Sequence, residues 1–149
     1  MKRLMVICAI LLALTTPAAF AASDHSGHGD HVSAAHEEVI EGVKATFTVQ
    51  TMKEAMKAMG MEMPKGVKET HHLSVSFKDV KSGKALTEGS VKVKIQGPDK
   101  AEQTRDMTGM QGHFGADFDL SKKGKYGVMT KFQLKDGKVR SAKFWYTVK

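Results

Sequence analysis

The chain has 149 residues, a net charge of +7, 41% hydrophobic residues and one cysteine. This length fits one domain with or without a tail, and the apolar content excludes a fully disordered chain. A single cysteine excludes a disulfide framework and a cysteine-based zinc site. The 10 methionines and 7 histidines stand out, because thioethers and imidazoles are uncharged ligands for soft and borderline metal ions.

The first residues have the pattern of an export signal. Lys2 and Arg3 precede an apolar run over residues 4–14, which is too short to span a bilayer as a helix. Residues 19–21 read Ala-Phe-Ala and fit a signal-peptidase site. We therefore predict a signal peptide over residues 1–21, cleavage near Ala21, and a periplasmic or secreted protein. An uncleaved membrane anchor is the alternative.

Residues 22–41 are polar, contain several glycines and serines, and show little apolar periodicity. This composition predicts a disordered N-terminal tail. His25, His28 and His31 within it are candidate metal ligands, because imidazoles bind Cu(II), zinc and nickel. A solvated linker without a metal is the alternative. Cleavage after Ala22 would instead leave an amino-terminal Ser-Asp-His tripeptide, which binds Cu(II) or Ni(II) in a plane.

Alternating apolar and polar residues predict strands along most of residues 42–149. The alternating stretches are 43–49, 73–77, 91–95, 114–120, 126–134 and 144–148. Turn sequences separate them, among them Lys135-Asp136-Gly137. Six or seven short strands with regular turns are typical of an all-β, immunoglobulin-like antiparallel β-sandwich, whereas a doubly wound parallel sheet would need βαβ alternation.

A methionine-rich segment over residues 52–63 interrupts the strand pattern. Its helical stripe at i, i+4, i+7 and i+11 consists of Met52, Met56, Met59 and Met63. Gly60 and Pro64 limit the predicted helix to a short one, and Met61 falls outside the stripe. Two interpretations remain open: the stripe fills the core, or Met56, Met59, Met61 and Met63 handle Cu(I).

A second group of candidate ligands combines methionine with histidine. Met107, Met110 and His113 recur every three residues in a stretch that we predict to be a glycine-containing loop before a strand. His71 and His72 open another strand, so one of them must face the core and the other must face outward. Two thioethers and one imidazole suit Cu(I), and additional imidazoles would suit Cu(II).

Other kinds of chemistry have little support in the sequence. No cysteine follows residue 21, and neither a G-x-S-x-G motif nor a glycine-rich phosphate loop is present. Beyond residue 21 the only arginines are Arg105 and Arg140, so lysine supplies nearly all the positive charge. Proteins that read nucleic acids depend on arginine and interleaved aromatic residues. We therefore expect neither an enzyme nor a nucleic-acid-binding protein.

Three stretches carry a family resemblance: HHLSVSFKDVKSGKAL, VKVKIQGPDK and MTGMQGHFGADFDLSKKGKYGVMTKF. Together they resemble the YtkA-like domains of exported bacterial proteins over about residues 70–149. The block from Met110 to Ala116 followed by GKY also resembles the periplasmic copper-binding component of bacterial iron-uptake systems, although Phe114 replaces the usual tyrosine. These resemblances imply a β-sandwich metal binder with Met110, His113 and a strand histidine such as His72 as ligands.

The sequence thus predicts a non-enzymatic, exported copper carrier or buffer. Its folded site would use Met107, Met110 and His113 with His71 or His72, and the methionine-rich segment and the tail would collect or transfer ions. The alternative is an envelope interaction module, or an accessory subunit of a metal transporter, in which metal binding is incidental. A membrane metal transporter or another envelope protein is the expected partner in either case.

Overall fold

The computed structural model describes residues 34–149 of the chain. The predicted signal peptide over residues 1–21 and the candidate ligands His25, His28 and His31 lie outside the described residues. The described elements are β1 (His36–Ile40), β2 (Val43–Thr51), α1 (Met52–Ala58), β3 (His71–Asp79), β4 (Gly89–Gln96), β5 (Glu102–Met110), β6 (His113–Phe118), β7 (Gly124–Leu134) and β8 (Val139–Val148).

The strands form one antiparallel sheet in the order β1-β2-β3-β6-β5-β4-β7-β8. β5 joins the two halves, because its residues 102–107 pair with β4 and its residues 108–110 pair with β6. The sheet curves into a nearly closed barrel, so the two halves face each other across one core. The prediction of an all-β antiparallel fold is confirmed.

The core follows from the alternation of the strands. Most inward-facing residues of β2, β3, β4, β7 and β8 are apolar and buried, whereas most of the intervening residues are partly or fully exposed. Thr130 and Arg140 are buried polar exceptions. Aromatic contacts join the two halves: the ring centroids of Phe77 and Phe132 are 4.4 Å apart, and those of Phe47 and Phe144 are 5.0 Å apart. Burial of this apolar surface is the main driving force for the fold.

The prediction of disorder over residues 22–41 is wrong for residues 36–40, because these residues form β1 and pair with β2. Glu41 and Gly42 both have positive φ angles of 45° and 79°, as a two-residue type I′ hairpin turn requires. The His36 ring stacks on Phe144 with a centroid distance of 4.9 Å. Pairing and stacking with distant residues therefore order a segment whose own sequence has little apolar periodicity.

Helix α1 is confirmed as the short helix predicted from the methionine stripe. Thr51 and Glu54 form a capping box at its start, with Thr51 N–H donating to Glu54 Oε2 at 2.9 Å and Glu54 N–H donating to Thr51 Oγ1 at 3.2 Å. Gly60, with a φ of 66°, ends the helix, and Met61 N–H then donates to the Met56 carbonyl at 2.9 Å. Within residues 34–149, no helix combines the length and the apolar character needed to cross a bilayer.

Candidate metal site

The stretch from Met107 to His113 forms a hairpin rather than the predicted loop. β5 continues to Met110, β6 begins at His113, and Gln111 and Gly112 between them have φ angles of 43° and 88°. These values fit a two-residue type I′ turn, which places Met110 and His113 directly opposite each other. Paired residues of antiparallel strands project from the same face, so the turn brings a thioether and an imidazole together.

Met107 does not take part in this arrangement. It is three residues from Met110 on the same strand, and residues at odd separations project to opposite faces of a sheet. Met107 is 7% exposed and belongs to the hydrophobic core. The prediction that Met107, Met110 and His113 converge is therefore wrong, because it assumed a loop where a regular strand forms.

His72 lies on the outward face of β3, and Asp117 is its paired residue on β6. The distance between His72 Nδ1 and Asp117 Oδ1 is 2.6 Å. Since a carboxylate accepts hydrogen bonds, His72 Nδ1 donates this one, and Nε2 is the ring nitrogen left for another partner. A carboxylate that fixes a histidine tautomer in this way is typical of the residues that support metal ligands in proteins.

Gly115 lies on the outward face of β6, beside the side chains of His72 and Met110. A Cβ atom at this position would lie 2.8 Å from His72 Nε2 and 3.1 Å from the methyl carbon of Met110. Both side chains therefore occupy the space that any other residue would fill. The absence of a side chain at Gly115 lets the imidazole of His72 approach the thioether of Met110.

Helix α1 and the segment after it form the wall of a groove above this face. The groove has a volume of about 510 Å³, and its lining includes His72, Met110, Met52 and Met56. Met52 N–H donates to the Thr70 carbonyl at 2.8 Å, which holds the start of α1 beside the start of β3. Thioethers from two separate parts of the chain therefore line the groove, together with the imidazole of His72.

His113 is electrostatically coupled to His72. Partial burial lowers the pKa of His113 below its usual value, and a positive charge on His72 lowers it further. A lowered pKa favours the neutral form of the His113 imidazole. Neutral imidazole is the form that binds a metal ion.

His71 points away from the groove, toward the core side of β3. Its Nδ1 lies 2.8 Å from the Thr70 hydroxyl, and its ring centroid is 6.3 Å from that of Tyr146. Burial is the main cause of its lowered pKa, which Glu54 and Asp119 partly offset. The prediction that one of the two histidines faces inward is confirmed, and His71 is that residue.

The remaining candidate methionines lie away from the lining of the groove. Met59, Met61 and Met63 are 55%, 56% and 43% exposed, on and after the C-terminal end of α1.

Met52 is buried, so the packing interpretation of the stripe holds at its first residue. Met56 is partly buried and lines the groove, and it is therefore the methionine of the stripe best placed to contribute to a site.

Residues 34–149 contain no group of three or more histidine, cysteine, aspartate or glutamate side chains arranged to hold a metal ion. The lining of the groove combines the imidazole of His72 with the thioethers of Met56 and Met110. This donor set suits Cu(I) better than zinc, because thioethers are soft ligands.

Sequence reasoning missed the contributions of Asp117 and Gly115. Asp117 occupies an ordinary outward strand position, and no local pattern marks it as the partner of a histidine 45 residues away. Gly115 gave a usable signal, since a glycine inside a strand often marks a close approach of other groups. The Gln111-Gly112 pair gave another signal, because glycine at the second position of a two-residue turn favours a type I′ hairpin.

Comparison with known proteins adds information about the fold. No protein-family model matches the chain, and no curated protein sequence is significantly similar to it. A crystal structure of a DUF4426 family protein from Pseudomonas aeruginosa is similar, with a TM-score of 0.58 and 13% identity over 76% of this chain and 96% of that chain. The soluble domain of PmoD from Methylocystis gives a TM-score of 0.41 and 11% identity over the same shares. The resemblance to YtkA-like domains thus has no support from a family model, and the structural likeness concerns the fold alone.

Proposed function

We propose that the chain is an exported, non-enzymatic copper-binding protein that carries or buffers Cu(I). The observation that supports this proposal best is the groove above Gly115. There Asp117 holds Nδ1 of His72, and both His72 Nε2 and the methyl carbon of Met110 lie beside the Cα position of Gly115. Oriented imidazole nitrogen and thioether sulfur are the ligands that Cu(I) prefers among uncharged side chains.

The proposed ligands are His72 and Met110, with His113 and Met56 as the neighbouring groups able to complete the coordination. Met107 is left out because its side chain packs in the core. The exposed residues Met59, Met61 and Met63 would deliver ions to the groove or accept them from it. An exposed thioether segment suits transfer, because each sulfur binds Cu(I) without first losing a proton.

Cu(I) titration in competition with a chromophoric chelator tests the proposal. We expect one tight Cu(I) site per chain in protein comprising residues 34–149, and X-ray absorption should show both sulfur and nitrogen ligands. The same protein should bind zinc much more weakly, since thioethers discriminate against it. Equal affinities for Cu(I) and zinc, or a copper site without sulfur ligands, would contradict the proposal.

A further inference from the structure

A second surface, on the other half of the sheet, has a distinct chemical character. The outward positions of β4, β7 and β8 carry lysines and one exposed aromatic residue, and these three strands contain no aspartate or glutamate. We call this surface the lysine face. It consists of Lys92, Lys94, Lys125, Lys131, Lys143 and Trp145.

The lysine face keeps much of its positive charge. Lys92 and Lys94 form ion pairs with Asp106 at 3.2 Å and with Glu102 at 2.7 Å, both on the neighbouring strand β5. Among residues 34–149, no carboxylate forms an ion pair with the other lysines of the face, Lys125, Lys131 and Lys143. The charge that remains is concentrated around Trp145.

Trp145 is held in place although it is 54% exposed. Its indole ring packs on the backbone of Gly127, the residue opposite it on β7, where a Cβ atom would lie 3.1 Å from the ring. The Lys125 and Lys143 ammonium groups lie 4.8 Å and 5.7 Å from the ring centroid. The face therefore presents a positioned indole together with exposed cations.

We propose that the lysine face docks on the surface of an anionic lipid bilayer. Tryptophan favours the headgroup region of a membrane, and each lysine close to an anionic surface adds attraction. An acidic protein partner fits less well, because protein interfaces are enriched in arginine and depleted in lysine, and the lysine face has no arginine. Arg140, the arginine of β8, points into the core. This inference does not depend on copper binding.

The fluorescence of the full chain with vesicles provides the test, because Trp145 is the single tryptophan. We expect its emission to shift to shorter wavelength with vesicles of phosphatidylcholine and phosphatidylglycerol, but not with phosphatidylcholine alone. Salt at 0.5 M should reverse the shift, since a Debye length of about 4 Å screens the attraction. A shift of equal size with both kinds of vesicle would overturn the proposal.

Two charge-matched variants separate the lysine face from net charge. Replacing Lys125, Lys131 and Lys143 by Gln should weaken binding to anionic vesicles about a hundredfold, since each lysine is expected to contribute about fivefold. Replacing Lys78, Lys81 and Lys84 by Gln, all exposed in β3 and the turn after it, should weaken it much less. All these proteins share one amino-terminal region. Equal losses in both variants, or binding to soluble polyglutamate but not to vesicles, would contradict membrane docking.

Discussion

The direction of a side chain decides which residues can form the site. Met107 and Met110 have the same chemistry and lie three positions apart, yet one packs in the core and the other lines the groove. His71 and His72 differ in the same way. Adjacent residues of a strand project from opposite faces of the sheet. Strand pairing, in contrast, places residues that are distant in sequence side by side, such as His72 and Asp117.

Asp117 is expected to act through His72. Asp117→Asn keeps the size of the side chain but removes the charge that stabilises the Nδ1–H tautomer of His72. We expect Cu(I) affinity to fall about 10- to 100-fold, as is usual when a carboxylate behind a metal-binding histidine is lost. Chelator competition on the folded variant measures this, and unchanged affinity would show that the hydrogen bond between His72 and Asp117 serves only the sheet.

Gly115 is expected to be needed for the approach of His72 to Met110. In Gly115→Ala, the new Cβ atom would collide with both side chains, so Cu(I) affinity should fall at least about tenfold while the outward position spares the core. Gly109→Ala is the matched control, because its Cβ atom would meet the Phe114 ring at an ordinary 3.6 Å. Similar affinities for the two variants would contradict the proposed geometry.

At the scale of elements, alternation predicted the strands that bury every second side chain. It failed for β5, whose nine residues include one buried side chain, Met107. β5 is nevertheless central, since it pairs with β4 at one end and with β6 at the other. Backbone pairing with β4 and β6 stabilises this strand. The sequence of β5 alone does not identify these partners.

The position of β1 sets the limit for removing the tail. A deletion that starts at residue 22 and ends at residue 33 leaves β1 intact, so the thermal unfolding temperature should stay close to that of the wild type. Extending the deletion through Glu38 removes the stacking of His36 on Phe144 and part of the pairing with β2, and it should lower that temperature by several degrees. Equal stability of both deletions would mean that β1 contributes little.

The shorter deletion should also reduce the number of Cu(II) ions bound, because it removes His25, His28 and His31. It should leave Cu(I) affinity unchanged, since the groove lies within residues 34–149. Loss of Cu(I) binding in this variant would move the principal site to the tail.

Two partly buried histidines predict that the whole molecule loses stability in acid. The pKa values of His71 and His113 are lowered in the folded protein, mainly by burial, so the unfolded chain binds more protons once the pH falls below about 6.5. Their stabilising contribution is therefore present above that pH and is lost as the pH falls through the folded pKa values. His71→Gln and His113→Gln should each reduce the loss of stability between pH 7.5 and 5.5. Denaturant unfolding at both pH values measures the free energy of unfolding. If the loss of stability between pH 7.5 and 5.5 is the same in these variants as in the wild type, this explanation is wrong.

The fold class could be predicted from the sequence, as could the thioethers and imidazoles of the candidate site, but their spatial arrangement could not. Composition pointed to thioethers and imidazoles, and the periods of the apolar pattern predicted the short helix and most strands. The convergence of Met56, His72 and Met110 depends on where α1 rests against the sheet. Contacts such as that between Met52 N–H and the Thr70 carbonyl determine this placement, and no local pattern encodes them.

We propose that Met110 in the groove binds Cu(I) and that Met107 in the core does not. Met→Leu approximately preserves volume and apolarity at both positions, so it tests sulfur rather than packing. In competition with a Cu(I) chelator, Met110→Leu should bind at least about tenfold more weakly than wild type, which is about 1.4 kcal/mol. Met107→Leu should bind as wild type does. Unchanged affinity in Met110→Leu, or an equal loss in both variants, would contradict the account.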